Sequence, residues 1–175
     1  MKRQDPEVTI YNYRLIRRIR HQWFWSALYT VLPVLGFLVV VLRYDLWTAL
    51  WTPLGFLGLI WLHTAIAGIQ LRYHPDRERS HRNWKLLIRF PWLGLLPEQP
   101  APLRLILRLQ TVQWWIGLAC IGICFPWLPT VALFQLTIVH VWILTPTFWM
   151  LARFSRSGKY GLLKINPRET SYYAE

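Results

Sequence analysis

The amino-acid sequence predicts an all-α integral membrane protein with four transmembrane helices, arranged as two tandem helical hairpins with both termini in the cytoplasm. Hydrophobic residues make up 54% of the chain and charged residues only 16%, a balance too apolar for an ordinary soluble domain. The charges are also clustered, which leaves long neutral windows between them. Those windows, together with the one-sided placement of Lys and Arg, carry the prediction.

Four apolar segments are long enough to cross a hydrocarbon layer of about 30 Å, which takes about 20 helical residues. They are Phe24–Leu42, Trp47–Leu71, Leu105–Phe125 and Val131–Ala152. A short RYD turn joins the first pair, and a PWLP turn joins the second pair, since proline interrupts a helix. Arg104 and Arg108 stand at the entrance of the third segment, where we expect their long side chains to reach the lipid headgroups.

The chain divides accordingly into five parts. They are a basic N-terminal segment 1–23, a first hairpin 24–71, a basic loop 72–103, a second hairpin 104–152 and a tail 153–175. We expect the tail to be a cytoplasmic extension with a turn at Asn166, because it is too polar to enter the bilayer.

The loop between the hairpins contains a short amphipathic run. Trp84, Leu87 and Ile88 share one helical face, and Lys85 and Arg89 lie near the edges of that face. The run is too short to span, so it favours a segment lying in the plane of the cytoplasmic interface. A partner-docking element is the alternative interpretation.

Orientation follows from the positive residues, which are retained on the cytoplasmic side. Of the 20 Lys and Arg residues, only Arg43 lies on the other side of the predicted spans. We therefore expect a bacterial inner membrane or a thylakoid-type membrane, with the basic face against anionic headgroups or a protein partner. The residues assigned to that contact are Arg14, Arg17, Arg18, Arg20, Lys85, Arg89, Arg104 and Arg108. Topology explains these charges, so nucleic-acid binding is rejected.

The two halves of the chain resemble each other. RLIRRIRHQWFWSAL from Arg14 and RLILRLQTVQWWIGL from Arg104 share an Arg-Leu-Ile start, an arginine four residues later and an aromatic pair. Each run leads into a hairpin whose second span carries one histidine. A tandem duplication at 104–153 is one interpretation, and chance similarity of arginine-rich span entrances is the other.

The first hairpin resembles the bacterial 2TM domain family over residues 14–72. The matching positions are Trp47, Trp51, Pro53, Gly55, Gly58 and His63. The resemblance implies a basic helical entrance followed by two spans and a tight turn. That family has no established activity and occurs beside signalling modules, so the resemblance implies a fold rather than a function.

Two histidines, His63 and His140, lie inside predicted spans. They stand nine and thirteen residues before the next arginine, which places them within about one helical turn of the same depth. An ionisable residue in a span indicates a functional site by default, and imidazole is an axial ligand for haem or for chlorophyll magnesium. Hydrogen bonding between helices, through Thr64 or Thr137, is the alternative. A proton relay through the histidines is a further alternative, but no Asp or Glu lies within the predicted spans to accept the proton.

Small residues in the spans predict close helix packing. Those assigned to it are Thr64, Gly68, Gly117, Cys120 and Cys124. A metal site on the two thiols lacks further ligands at the same depth.

No catalytic motif is present in the sequence, neither a phosphate-binding glycine loop nor a nucleophile elbow nor H-E-x-x-H. An enzyme is therefore not expected. The leading hypothesis is a non-catalytic accessory or assembly subunit of a larger membrane protein complex. The expected protein partner is that complex or a second copy of the chain in a homo-oligomer. The alternatives are a haem- or chlorophyll-binding subunit of an electron-transfer or photosynthetic complex and, third, a small transporter or channel.

Overall fold

Helices dominate the computed structural model of the chain, which describes residues 14–20, 22–73, 84–89, 92–155, 161–166 and 169–174. The helices are α1 Trp23–Arg43, α2 Leu46–Ala49, α3 Trp51–Arg72, α4 Leu103–Ile123 and α5 Thr130–Ser155. Among the described residues, four helical stretches, with α2 and α3 counted as one, are long and apolar enough to cross a membrane. The four predicted spans are therefore confirmed as helices of suitable length and composition.

The turn between α1 and α2 is closed by the carboxylate of Asp45. The backbone N–H of Thr48 donates to Asp45 Oδ1 at 2.7 Å, and the Thr48 hydroxyl donates to Oδ2 at 2.8 Å. Asp45 is thus the N-cap of α2. The backbone hydrogen bond from Thr48 is the main reason that the pKa of Asp45 lies below its usual value.

Six β-strands accompany the helices in the described part of the chain, so the prediction of an all-α fold is wrong in part. They are β1 Arg14–Arg20, β2 Trp84–Arg89, β3 Trp92–Pro97, β4 Ala101–Pro102, β5 Gly161–Ile165 and β6 Glu169–Ala174. One antiparallel sheet has the order β1-β6-β5-β4, and β2 pairs with β3 in a separate hairpin. We call these six strands the β cap.

The basic entrance to the first span is a strand, where the family resemblance implies a helix. Strand β1 pairs with β6, so that Arg18 lies opposite Ser171 and Ile19 opposite Thr170. Ile19 packs against the buried residues of the β cap. The partner strand lies at the other end of the chain, and a local pattern of arginines and aliphatic residues does not reveal it.

The run that favours an interfacial helix is instead the hairpin β2–β3. Lys85 lies opposite Leu96 and Arg89 opposite Trp92. Short apolar runs fit a helix and a strand equally well, and here the second run supplies the partner that decides for a strand. Gly94 in β3 has a φ of 108°, a backbone conformation that glycine adopts without strain.

The tail also folds onto the molecule. Helix α5 continues to Ser155, and β5 and β6 form a hairpin after it. Asn166 and Glu169 exchange two backbone hydrogen bonds of 2.9 and 3.3 Å, which closes that hairpin at the predicted turn. The next residue, Pro167, lies outside the described residues.

The core of the β cap lies between its strands and the ends of α4 and α5. Leu163, Tyr172 and Phe154 are completely buried, and the rings of Phe154 and Tyr172 stack with centroids 5.7 Å apart. The rest of this core includes Trp92, Ala101, Leu103, Ile106, Met150, Leu151 and Ile165. The segments before the first helix and after the last therefore meet at one end of the helix bundle.

A second core holds α3, α4 and α5 together further along the bundle. Its buried residues are Leu59, Ile121, Val139, Trp142 and Ile143. Helix α1 joins it from outside through Tyr29, whose ring stacks on that of Trp142 with centroids 4.2 Å apart. The Tyr29 hydroxyl also donates to the Trp142 carbonyl oxygen.

Pro146 explains why that carbonyl is available. In a helix the carbonyl of Trp142 accepts from the N–H four residues later, and residue 146 is a proline without an N–H. Tyr29 supplies the missing donor from the neighbouring helix, which is how proline is tolerated inside a membrane span.

Candidate functional site

The two histidines of the candidate spans meet at the centre of the candidate site. His63 of α3 and His140 of α5 lie with Nε2 and Nδ1 respectively 3.1 Å apart. Their relative exposures are 3% and 0%, so the contact is shielded from both water and lipid. The sequence predicts a similar depth for the two residues, and in the structure they are in direct contact.

The hydrogen bonds around the pair assign its protons. His140 Nε2 lies 3.2 Å from the Trp114 carbonyl oxygen, which can only accept, so Nε2 carries the hydrogen. In a neutral imidazole, Nδ1 of His140 is then the acceptor, and His63 Nε2 donates to it. This leaves His63 Nδ1 with a lone pair and no hydrogen-bond partner in the described part of the chain.

Helix α4 holds the pair in place from the third side. The side-chain amide of Gln113 donates to the His63 carbonyl oxygen at 3.0 Å, and the ring of Trp114 lies with its centroid 5.6 Å from that of His140. A Cβ added at Gly117 would lie only 2.7 Å from His140 Nδ1. Glycine is therefore required at position 117 by the close approach of the imidazole.

The threonines proposed as histidine partners bond elsewhere. The hydroxyl of Thr64 donates to the Ile60 carbonyl and that of Thr137 to the Leu133 carbonyl, both at 2.8 Å. Each bond stays within its own helix, because a threonine hydroxyl reaches the carbonyl four residues back. The hydrogen bond between helices exists, but the second histidine makes it.

The other small residues assigned to packing differ among themselves. An added Cβ at Gly68 would meet no atom within 4 Å, so this glycine does not set a distance between helices. Cys120 and Cys124 are half-buried free thiols, and Cys124 follows the last residue of α4 as its C-cap. Among the small residues assigned to packing, Gly117 is the one in contact with the histidines.

The residues present do not fit a haem or chlorophyll between the histidines. A metal held by both rings needs about 2.0–2.1 Å to each nitrogen, and a macrocycle around it needs a flat gap between them. His63 Nε2 and His140 Nδ1 face each other at hydrogen-bond distance, and α4 closes the third side at Gly117. Within the described ranges, no three His, Cys, Asp or Glu side chains gather as metal ligands.

The arginines assigned to headgroup or partner contact lie on the surface. Arg14, Arg17, Arg18 and Arg20 are exposed on β1. Glu169 forms an ion pair and a hydrogen bond with Arg18, and that bond raises the pKa of Arg18.

The remaining basic residues of this assignment lie on α4 and β2. Arg104 and Arg108 are exposed on α4. On β2, Lys85 pairs with Glu98 at 3.2 Å, and the side chain of Arg89 lies outside the described part.

Three polar residues were missed as parts of the helix contacts. Besides Gln113, Gln135 accepts from the Thr52 hydroxyl at 2.8 Å and donates to the Thr48 carbonyl at 3.0 Å. Tyr29 is the third. A polar side chain in an apolar span was the available signal, because the hydrocarbon offers it no partner.

Comparison with known proteins leaves the site to be interpreted from its own geometry. No family model matches the chain, and neither a curated protein nor a solved structure matches it. The resemblance of the first hairpin to the 2TM domain family therefore stays a prediction.

Proposed function

We propose that the protein is a non-catalytic accessory or assembly subunit of a larger membrane protein complex, and that it joins this complex through the outward face of α1. The observation that carries the proposal is the difference in burial among the spans. None of the window Ser26–Arg43 is buried, whereas the other three windows are buried to 39%, 33% and 44%. Helix α1 thus has the largest share of its residues left for contact with another polypeptide.

The outward face of α1 is apolar and mostly aliphatic. Its exposed large side chains are Phe24, Leu28, Val31, Leu32, Val34, Leu35, Leu38, Val39 and Leu42. Transmembrane helices associate mainly through van der Waals packing, for which such a face is suited. The Tyr29 contact with α5 keeps the opposite face against the bundle.

The polar groups inside the bundle support a non-catalytic role. His63 and His140 bond to each other, and the side-chain amides of Gln113 and Gln135 bond to backbone carbonyls of neighbouring elements. These groups fix the positions of α3, α4 and α5. They form helix contacts rather than a line of polar side chains along a pore.

We further propose that both termini face the cytoplasm, in a bacterial inner membrane or a thylakoid-type membrane. Two observations support this orientation. Strand β1, before the first helix, pairs with β6, after the last, so these two segments lie on the same side of the helices. Nearly all Lys and Arg residues lie on that side by sequence, and positive residues are retained in the cytoplasm.

Photo-crosslinking in native membranes tests the accessory role. We would place p-benzoylphenylalanine at Leu35 or Val39 of α1, and at Leu57 of α3 or Ile138 of α5 as controls of similar exposure. The proposal expects one protein adduct of constant mass from both α1 positions and none from the controls. Adducts with lipid alone at α1, or equal protein adducts from all four positions, would contradict it.

A further inference from the structure

The outer face of α4 combines two arginines with an apolar stripe. Residues at helical spacing on this face are all exposed, namely Arg104, Leu107, Arg108, Thr111 and Trp115. The opposite face, which includes Ile106 and Leu109, is buried in the bundle. The exposed stripe therefore runs continuously along one side of the helix.

The arginines stand where the helix leaves the β cap. Leu103 and Ile106, from the first turn of α4, belong to the core of the cap, and from Leu109 to the end of the helix there is no charged residue. Arg108 lies about 7.5 Å along the axis from the start of the helix. Its guanidinium group is thus held at the boundary between the cap and the apolar part of the span.

Protein carboxylates do not neutralise Arg108 in the described part of the chain. The acidic residues described there are Asp45, Glu98 and Glu169. Asp45 caps α2 at the other end of α1, Glu98 pairs with Lys85, and Glu169 pairs with Arg18. A guanidinium group facing lipid at the edge of the hydrocarbon is costly without an anion.

Beyond the arginines the stripe suits an acyl chain. Leu107 is 43% exposed and Trp115 is 66% exposed. The hydroxyl of Thr111 donates to the Leu107 carbonyl at 2.9 Å, so its hydrogen is used inside the helix. The polar atoms of the stripe are therefore concentrated at its arginine end.

We propose that the outer face of α4 is a binding site for one anionic phospholipid, with its phosphate between Arg104 and Arg108 and an acyl chain along Leu107, Thr111 and Trp115. Guanidinium groups bind phosphate oxygens in a bidentate manner. The adjoining apolar stripe distinguishes a lipid from a free phosphate compound, which would use the arginines alone.

Native mass spectrometry of the full chain in detergent tests this site with phosphatidylglycerol as the probe. Each arginine at an anionic lipid surface contributes about a fivefold gain in affinity, so Arg104→Gln/Arg108→Gln is expected to bind this lipid about 25-fold more weakly. Arg43→Gln, at the opposite end of the spans, is the matched control and should bind it as the unchanged chain does. Phosphatidylcholine should show little difference among the three proteins.

Three results would overturn the proposal. The first is that the double variant binds phosphatidylglycerol as tightly as the unchanged chain does. The second is that it loses no more affinity for this lipid than Arg43→Gln loses. The third is that glycerol phosphate displaces the lipid at equal concentration. If the double variant does not fold, a photoreactive phosphatidylglycerol on the unchanged chain decides the question. Labels on residues 104–115 support the site, and labels confined to other helices overturn it.

Discussion

Replacing Gly117 by alanine should break the histidine pair without altering either histidine. The new methyl group would lie 2.7 Å from His140 Nδ1 and closer still to the carbon beside it, which is well inside van der Waals contact. The imidazole is completely buried, so it cannot relieve the clash by turning out of the bundle. We expect it to move away from His63 and to lose the hydrogen bond of 3.1 Å.

The size of the effect follows from two contributions. Overpacking a filled core costs about 1–3 kcal/mol, and a lost hydrogen bond between membrane helices costs about 0.6 kcal/mol on average. Alanine gains up to about 1 kcal/mol over glycine in helix propensity. Gly68→Ala has the same gain without a clash, so the two variants should differ by about 2–4 kcal/mol.

Unfolding by sodium dodecyl sulfate from mixed micelles, followed by tryptophan fluorescence, measures this difference. Equal free energies of unfolding for Gly117→Ala and Gly68→Ala would refute the packing argument. A double variant, Gly117→Ala with His140→Ala, adds a sharper test, because removing the ring removes the clash. Its cost should be less than the sum of the two single costs by at least about 1 kcal/mol.

Three further predictions concern α1, the α2 cap and the β cap. Tyr29→Phe should lower the free energy of unfolding by about 0.6–1.7 kcal/mol. The loss should be smaller in a Pro146→Ala background, where the new N–H donates to the Trp142 carbonyl. The same unfolding assay measures both. The pKa of Asp45 is lowered in the folded chain, so its carboxylate stabilises the folded state above the unfolded pKa of about 4, and this stabilisation is lost as the pH falls through the folded value. Hydrogen exchange of residues 46–50, corrected for its intrinsic rate, should therefore rise in that pH range. In Asp45→Asn the corrected exchange should not respond to pH. Gly161→Ala would place a Cβ 2.5 Å from a buried tyrosine ring of β6 and should cost about 1–3 kcal/mol, seen as faster proteolysis after α5.

Each of these predictions has a result that contradicts it. An equal cost of Tyr29→Phe with and without Pro146 would show that the hydroxyl does not serve the carbonyl freed by the proline. Acid-induced exchange that persists in Asp45→Asn would have another origin. Gly58→Ala, where an added Cβ meets nothing within 4 Å, is the control for Gly161→Ala, and equal proteolysis of the two would remove the packing explanation.

The spans were predictable because their signal is local. A neutral apolar run of about 20 residues is read from consecutive positions, and the boundary arginines mark its ends. The depth of His63 and His140 followed from the same count. Their contact also needed α3 and α5 to be neighbours, which the spacing within one helix does not contain.

The strands were missed because their pairing is distant. Nothing near Arg18 in the sequence indicates that β6 lies beside it, since 151 residues separate Arg18 from Glu169. The run containing Lys85 is six residues long as a strand, a length at which helix and strand patterns overlap. The hydrogen-bond partners of side chains were harder still to predict. Thr64 shows why: a carbonyl of its own helix competes with the acceptors on neighbouring helices for the hydroxyl.

The pairing of β1 with β6 also sets the order in which the molecule is assembled. All the helices lie between these strands, and translation proceeds at about 5–20 residues per second. The first strand therefore waits about 8–30 s for its partner to be synthesised, and the described helices are all made in that interval. Charged side chains on an unpaired strand disfavour pairing with other strands, and β1 carries four arginines. The last strand of this sheet is made after every described helix, so its closure marks a chain whose candidate spans have all been synthesised.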